Sequence, residues 1–92
     1  MEIEYDPAKD AINRRRHGIS LEDATRFDWD RAETVEDTRY DYGEQRFKAT
    51  GLIGSEVYIV IYCDRAGVTR VISLRKAEKH EVKRYVHYLE GR

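Results

Sequence analysis

One cysteine, one proline, one methionine and one tryptophan are spread over 92 residues, and each scarcity excludes something. With Cys63 alone the chain can close no intrachain disulfide and has no paired-cysteine metal spacing, which suits a reducing compartment. No apolar run is long enough to cross a bilayer, and Met1 to Asp6 lack the basic segment and apolar core of a secretory signal. A cytoplasmic protein is therefore expected. No repeat, low-complexity tract or proline-rich linker divides the chain, and at this length one hydrophobic core must serve throughout, so a single domain over 1–92 is expected.

An excess of charge of one sign is also missing. The net charge of −1 argues against a protein that coats nucleic acid by bulk electrostatics. The distribution is uneven, however. Met1 to Gly43 holds 7 Lys and Arg against 12 Asp and Glu, a balance of −5, whereas Glu44 to Arg92 holds 10 against 6, a balance of +4. A basic surface could bind phosphate while the acidic portion keeps the chain soluble or faces a basic partner.

What is present reads as an α+β chain. Ile3 to Tyr5 suit a short strand. Asp6-Pro7 is a helix start, and Ala8, Ala11 and Ile12 give an apolar stripe at helical spacing that ends before Gly18. Ser20-Leu21-Glu22-Asp23 has the form of a capping box, followed by Ala24 and Phe27. The charged segment Trp29 to Arg39 contains Ala32, Thr34 and Val35, which suit an edge strand, and Asp41-Tyr42-Gly43 is a turn. Gln45, Phe47 and Ala49 then alternate with Glu44, Arg46 and Lys48. Val57 to Cys63 is apolar on both faces and reads as the central strand, joined through a hairpin loop at Asp64 to Gly67 to a returning strand, Val68 to Leu74. From Glu78 onward, Val82, Tyr85, Val86 and Leu89 share one face of a terminal helix. The expected architecture is an antiparallel sheet with N-terminal helices and a C-terminal helix packed on it in two layers, leaving the other sheet face partly open.

Three groups of side chains could do chemistry on RNA, whose own 2′-hydroxyl can attack the neighbouring phosphate. Such a reaction requires a proton acceptor, a proton donor and cations around the phosphate. Lys9, Asn13, Arg16 and His17 share one helical face, although a basic last turn also complements the helix dipole without any ligand. Glu44 and Arg46 lie two apart on one strand, a carboxylate beside a guanidinium, with Lys48 extending the track; same-face Glu and Arg pairs are also common surface decoration. In Arg70-Val71-Ile72-Ser73-Leu74-Arg75-Lys76 a strand ends in a basic pair. Strict alternation would put Arg70 and Arg75 on opposite faces unless the strand bends near Ser73. Of the seven tyrosines, Tyr58, Tyr62 and Tyr85 are placed for packing, and Tyr40, Tyr42 and Tyr88 for contacts with a ligand or partner. His80 and His87 sit on a charged helix as solvated side chains, and no metal-ligand cluster or cofactor is expected.

Together these pieces resemble the BrnT family of bacterial toxins. The resemblance runs through Tyr5-Asp6, Lys9, Asn13 and Arg16-His17-Gly18-Ile19-Ser20, then Ala24, Phe27, Glu44, Arg46 and Gly51, and finally Arg70 to Ala77 with Glu81 and Tyr85. It implies a RelE-like fold, metal-independent cleavage of RNA that arrests translation, and a small DNA-binding, BrnA-like antitoxin encoded nearby, with room for a dimer inside the toxin-antitoxin complex. The positions it carries over are Lys9, His17, Glu44, Arg46, Arg70, Ser73 and Arg75. The acidic stretch Asp28 to Asp37 and Leu74, where relatives often have Ala, depart from the pattern. The expected site therefore has His17, Glu44, Arg46, Arg70 and Arg75 as catalytic groups and Lys9, Arg16, Lys48, Ser73 and Lys76 as RNA contacts. A module that binds RNA or ribosomes without cutting, and a structural subunit assembled through its unlike halves, are the alternatives.

Overall fold

The computed structural model describes residues 1–91. In chain order its elements are β1 (Ile3–Glu4), α1 (Pro7–His17), two 3-10 segments (Leu21–Arg26 and Trp29–Arg31), β2 (Glu33–Glu36), β3 (Phe47–Ile53), β4 (Glu56–Arg65), β5 (Val68–Lys76) and α2 (Lys79–Glu90). The strands form one sheet in the order β1-β5-β4-β3-β2, so β4 is central and β2 is an edge, as their composition suggests. β2 to β5 are antiparallel. β1 runs parallel to β5, which makes the sheet mixed rather than purely antiparallel.

The ends of α1 follow from local chemistry. Asp6 caps it by accepting from the Ala8 amide at 2.8 Å, Pro7 stands at its first position, and Gly18, in the left-handed region at φ 71°, closes it by donating to the Arg14 carbonyl. Its packed face is not the stripe of Ala8, Ala11 and Ile12, which stays in solvent; the buried residues are Asp10 and Asn13. The reason lies in the sheet. β1 pairs only with Thr69 and Arg70, which leaves the rest of that β5 edge with unpaired backbone groups. The Asn13 amide takes the place of a strand there, with Nδ2 donating to the Leu74 carbonyl at 2.8 Å and Oδ1 accepting from the Leu74 amide at 3.1 Å. Asp10 anchors the following segment by accepting from the Leu21 amide at 2.7 Å and the Ser20 hydroxyl at 3.0 Å. The amide bond from Leu21 is the main reason the Asp10 carboxyl titrates below its usual range.

The main hydrophobic cluster lies on one face of the sheet. Leu21, Ala24 and Phe27 from the first 3-10 segment and its end pack on Ala49, Ile53, Val60, Val71 and Leu74, with Trp29, Tyr58 and Tyr62 at its margin. Gly51 makes room for this packing, because a Cβ there would stand 2.8 Å from the Phe27 ring. Ala66 and Gly67, at φ 55° and 85°, form the two-residue turn between β4 and β5, with the Gly67 amide on Asp64 Oδ1 at 3.0 Å. The turn proper is thus shorter than the expected loop from Asp64 to Gly67.

One irregularity positions side chains for the site. Ser73 pairs with Ile61 and Val71 with Tyr62, so Ile72 has no counterpart and β5 bulges there. Arg70 and Arg75 consequently pair with Cys63 and Ile59, four residues apart on β4 and so on one face, and share the sheet face opposite the main hydrophobic cluster. This is the bend near Ser73 that strict alternation requires if both guanidinium groups are to share a face. Lys48 and Ser73 share that face with them, and α2 reaches it through Glu81. Tyr85 of α2 is buried and donates to the Arg31 carbonyl at 2.9 Å. Tyr88 stacks near it, with centroids 6.1 Å apart.

Candidate functional site

A cleft of about 610 Å³ opens on that face. Its walls are the last turn of α1, which supplies Arg16 and His17, the connection between β2 and β3, which supplies Arg39, Tyr42 and Arg46, and the strands carrying Lys48, Ser73 and Arg75. Five cationic side chains and one imidazole therefore converge from four separate parts of the chain. Like charges at such density repel unless carboxylates hold them, and two buried carboxylates do.

Glu81 is the first. Its carboxylate takes both Arg75 Nη1 at 2.8 Å and Nη2 at 3.0 Å, receives Lys48 Nζ at 3.2 Å, and accepts from the Glu78 amide at 2.8 Å at the start of α2. The Arg75 bonds above all hold its pKa down to about 2. The paired fork fixes the guanidinium plane, which a lysine could not do. Asp37 is the second: Arg39 donates to it through Nε and Nη2, each at 2.9 Å, and the Tyr42 hydroxyl donates at 3.2 Å. The Arg39 bonds are the largest cause of its pKa, also about 2. Tyr42 in turn carries Arg46, whose guanidinium carbon lies 4.1 Å from the ring centroid. Arg46 Nε is buried without a hydrogen bond and stands 3.5 Å from Glu44 Oε2, an ion pair that lacks hydrogen-bond geometry.

His17 is exposed and makes none of the hydrogen bonds among the described residues. Partial desolvation, then Arg16 and Arg75, lower its pKa from the ordinary value of 6.5. Its imidazole is accordingly neutral at pH 7 and able to accept a proton. Cations that bind phosphate, beside a base that is free at neutral pH, form the equipment for phosphoryl transfer from an internal hydroxyl.

Residues 5–81 match the model of a family described as the ribonuclease toxin, BrnT, of type II toxin-antitoxin systems. This chain belongs to the BrnT family. A search of curated proteins found no match. The BrnT match contains every residue that lines the cleft and both of its buried carboxylates. As a type II toxin, the chain has a protein antitoxin as partner. No helix among the described residues is long and apolar enough to cross a membrane.

Of the site residues expected for this BrnT chain, Arg16, His17, Arg46, Lys48, Ser73 and Arg75 meet in the cleft. Lys9 lines a shallower depression that shares Arg16, His17 and Ser73 with it. Three others lie elsewhere. Glu44 bonds Arg65 Nη2 at 3.2 Å and meets Arg46 from outside the cleft. Arg70 binds Glu4 at 2.7 Å and so ties β5 to β1, and Lys76 pairs with Glu56 at 2.6 Å. Asp37 and Arg39 were missed, although an Asp followed two residues later by Arg, just before two tyrosines, marks a carboxylate that could hold its own guanidinium. Their position beside an acidic stretch disguises the pair as solvated surface. Glu78, His80 and Glu81 bring potential metal-ligand atoms within 4.8 Å, but both Glu81 oxygens are already occupied by Arg75, Lys48 and the Glu78 amide, so the cluster is an ion-pair hub.

Proposed function

We propose that this BrnT-family ribonuclease is an endoribonuclease that acts in the cytoplasm as one toxin domain, needs no metal, and arrests translation by cutting RNA in the cleft between α1 and the β2 to β3 connection. The observation that carries this reading is the pairing of a neutral His17 with Arg46 and Arg75, each cation fixed from the protein side and open toward the cleft. In the step proposed, His17 takes the proton of a 2′-hydroxyl as that oxygen bonds to the adjacent phosphorus. The bond from phosphorus to the 5′-oxygen breaks, and the departing oxygen takes a proton from water at the open mouth of the cleft. The resulting hydroxide is neutralised by the imidazolium, so the base is regenerated.

Arg46 and Arg75 neutralise the charge that builds on the phosphate, with Lys48 and Ser73 as further contacts and Arg16 and Lys9 along the approach. Glu44 acts through Arg46 as a positioning residue. Arg70 and Lys76 serve the ends of the strand and the outer surface. The antitoxin partner is a small DNA-binding protein encoded nearby.

The test uses purified protein and a single-stranded RNA with chelator present. Fragments ending in 2′,3′-cyclic phosphate and 5′-hydroxyl are expected, with His17→Ala slower by about 10²- to 10⁴-fold, the usual worth of a general base. RNA that is retarded in a gel yet stays intact would replace this reading with a binding module. Loss of cutting in chelator would remove the metal-free step.

A further inference from the structure

We propose that the protein antitoxin docks on the open edge of β2, where a basic extended segment of it joins the sheet as a sixth strand beside the cleft. This rests on the chain having an antitoxin, as its family implies, and not on how the cleft acts on RNA. β2 is the last strand of the sheet, and its backbone pattern follows from one contact. The Asp37 amide donates to the Arg46 carbonyl at 2.8 Å, and the register that continues this pair sets Val35 opposite Lys48 and Glu33 opposite Thr50. Partners that exchange hydrogen bonds recur at every second residue of an antiparallel pair, so Thr34 and Glu36 turn their amides and carbonyls outward. No hydrogen bond among the described residues occupies those outward groups.

The opposite side of the sheet is treated differently. There β1 pairs with Thr69 and Arg70, and the Asn13 side chain takes the amide and carbonyl of Leu74. The chain thus covers its own long strand β5 and leaves β2 bare, with Thr34, Val35 and Glu36 all exposed. Val35 and Lys48 are paired neighbours on the cleft face, and both line the cleft. An added strand therefore extends that face, and its side chains beside Val35 stand next to the cleft and obstruct the approach of a substrate.

Charge selects the occupant. Between Asp28 and Asp37, the carboxylates of Asp28, Asp30, Glu33, Glu36 and Asp37 stand against one cation, Arg31. Ion pairs neutralise Asp28 through Arg31, Glu33 through Arg84 and Asp37 through Arg39. Asp30 and Glu36 are exposed and enter none of the ion pairs or side-chain hydrogen bonds among the described residues. An edge with this surplus repels the phosphates of RNA, and it repels a second copy, whose own β2 would bring the same glutamates alongside. It fits a strand that sets Lys or Arg on the face of Thr34 and Glu36 and alternates them with apolar residues beside Val35, which is 46 % exposed.

The test uses the antitoxin encoded beside this chain, purified in complex with it, and follows the exchange of single backbone amides by NMR. Thr34 and Glu36 are expected to exchange quickly in the free chain and about tenfold or more slower in the complex. Thr34→Pro removes an outward N–H, which an edge strand tolerates, and should weaken the complex about tenfold while the free chain keeps its melting temperature and cuts RNA as before. Glu36→Lys leaves the backbone alone and should weaken the complex several-fold, by a factor that shrinks as salt rises. Binding that leaves both amides exchanging quickly, or that is unchanged in both variants, overturns the dock and keeps the antitoxin as partner. Protection of both amides in the concentrated free chain would assign the edge to a second copy and overturn it as well. A neighbouring gene product that does not bind the wild type refutes the antitoxin reading itself, and RNA cutting by the free chain, scored separately, decides the nuclease.

Discussion

Glu81→Gln isolates the charge that organises the cleft. The amide keeps the size of the side chain and an acceptor for the Glu78 amide, so the change removes the countercharge of Arg75 and Lys48 and little else. Glutamate ordinarily titrates near 4.5 and Glu81 in the fold at about 2. With about 1.4 kcal/mol per tenfold change in proton affinity, the folded state favours the charged form by roughly 3 kcal/mol. Because the folded pKa is depressed, this stabilisation is fully present above pH 4.5, falls to about half near pH 3 and is nearly gone close to pH 2. Urea unfolding of wild type and Glu81→Gln across that range should give a gap of roughly 3 kcal/mol at pH 7, or about 12–25 °C in melting temperature for a domain of this size. Asp37 titrates in the same window in both proteins and cancels in the difference. A gap of equal size at pH 7 and pH 2.5 would show that shape rather than charge is responsible, and a gap near zero at pH 7 would mean that the network is solvated.

Other perturbations probe separate links. RNA cleavage should fall on the acid side through a pKa below 6.5, because protonation removes the His17 base, and Arg75→Gln should move that limb to higher pH by removing one cation that disfavours the imidazolium; an unmoved limb in pH-rate profiles would take His17 out of the step. Asn13→Ala should cost roughly 2–5 kcal/mol in denaturant unfolding, since it leaves the amide and carbonyl of Leu74 unpaired and buried, and a loss below about 1 kcal/mol would mean that water replaces it. Gly51→Ala should cost about 1–3 kcal/mol by forcing its Cβ against Phe27, and Phe27→Leu in the same background should recover part of that loss in the same measurement.

What the sequence determined by itself was what nearest neighbours along the chain can decide. Asp6-Pro7 and Gly18 bound α1, the alternation from Phe47 fixed which face of β3 is apolar, and Ala66-Gly67 turned the chain between the two longest strands. Each depends on backbone preference or side-chain period within a few residues, so each is legible without a partner. The burial of Asn13 in place of Ile12 was not, because the unpaired edge it satisfies belongs to a strand more than fifty residues away. Nor was the convergence of His17, Arg39, Arg46 and Arg75, which needs the bulge at Ile72 and the two buried acids, Asp37 and Glu81, that make so much positive charge tolerable in one place. Charge acts through space rather than along the chain, and only the tertiary structure decides which opposite charges come within reach.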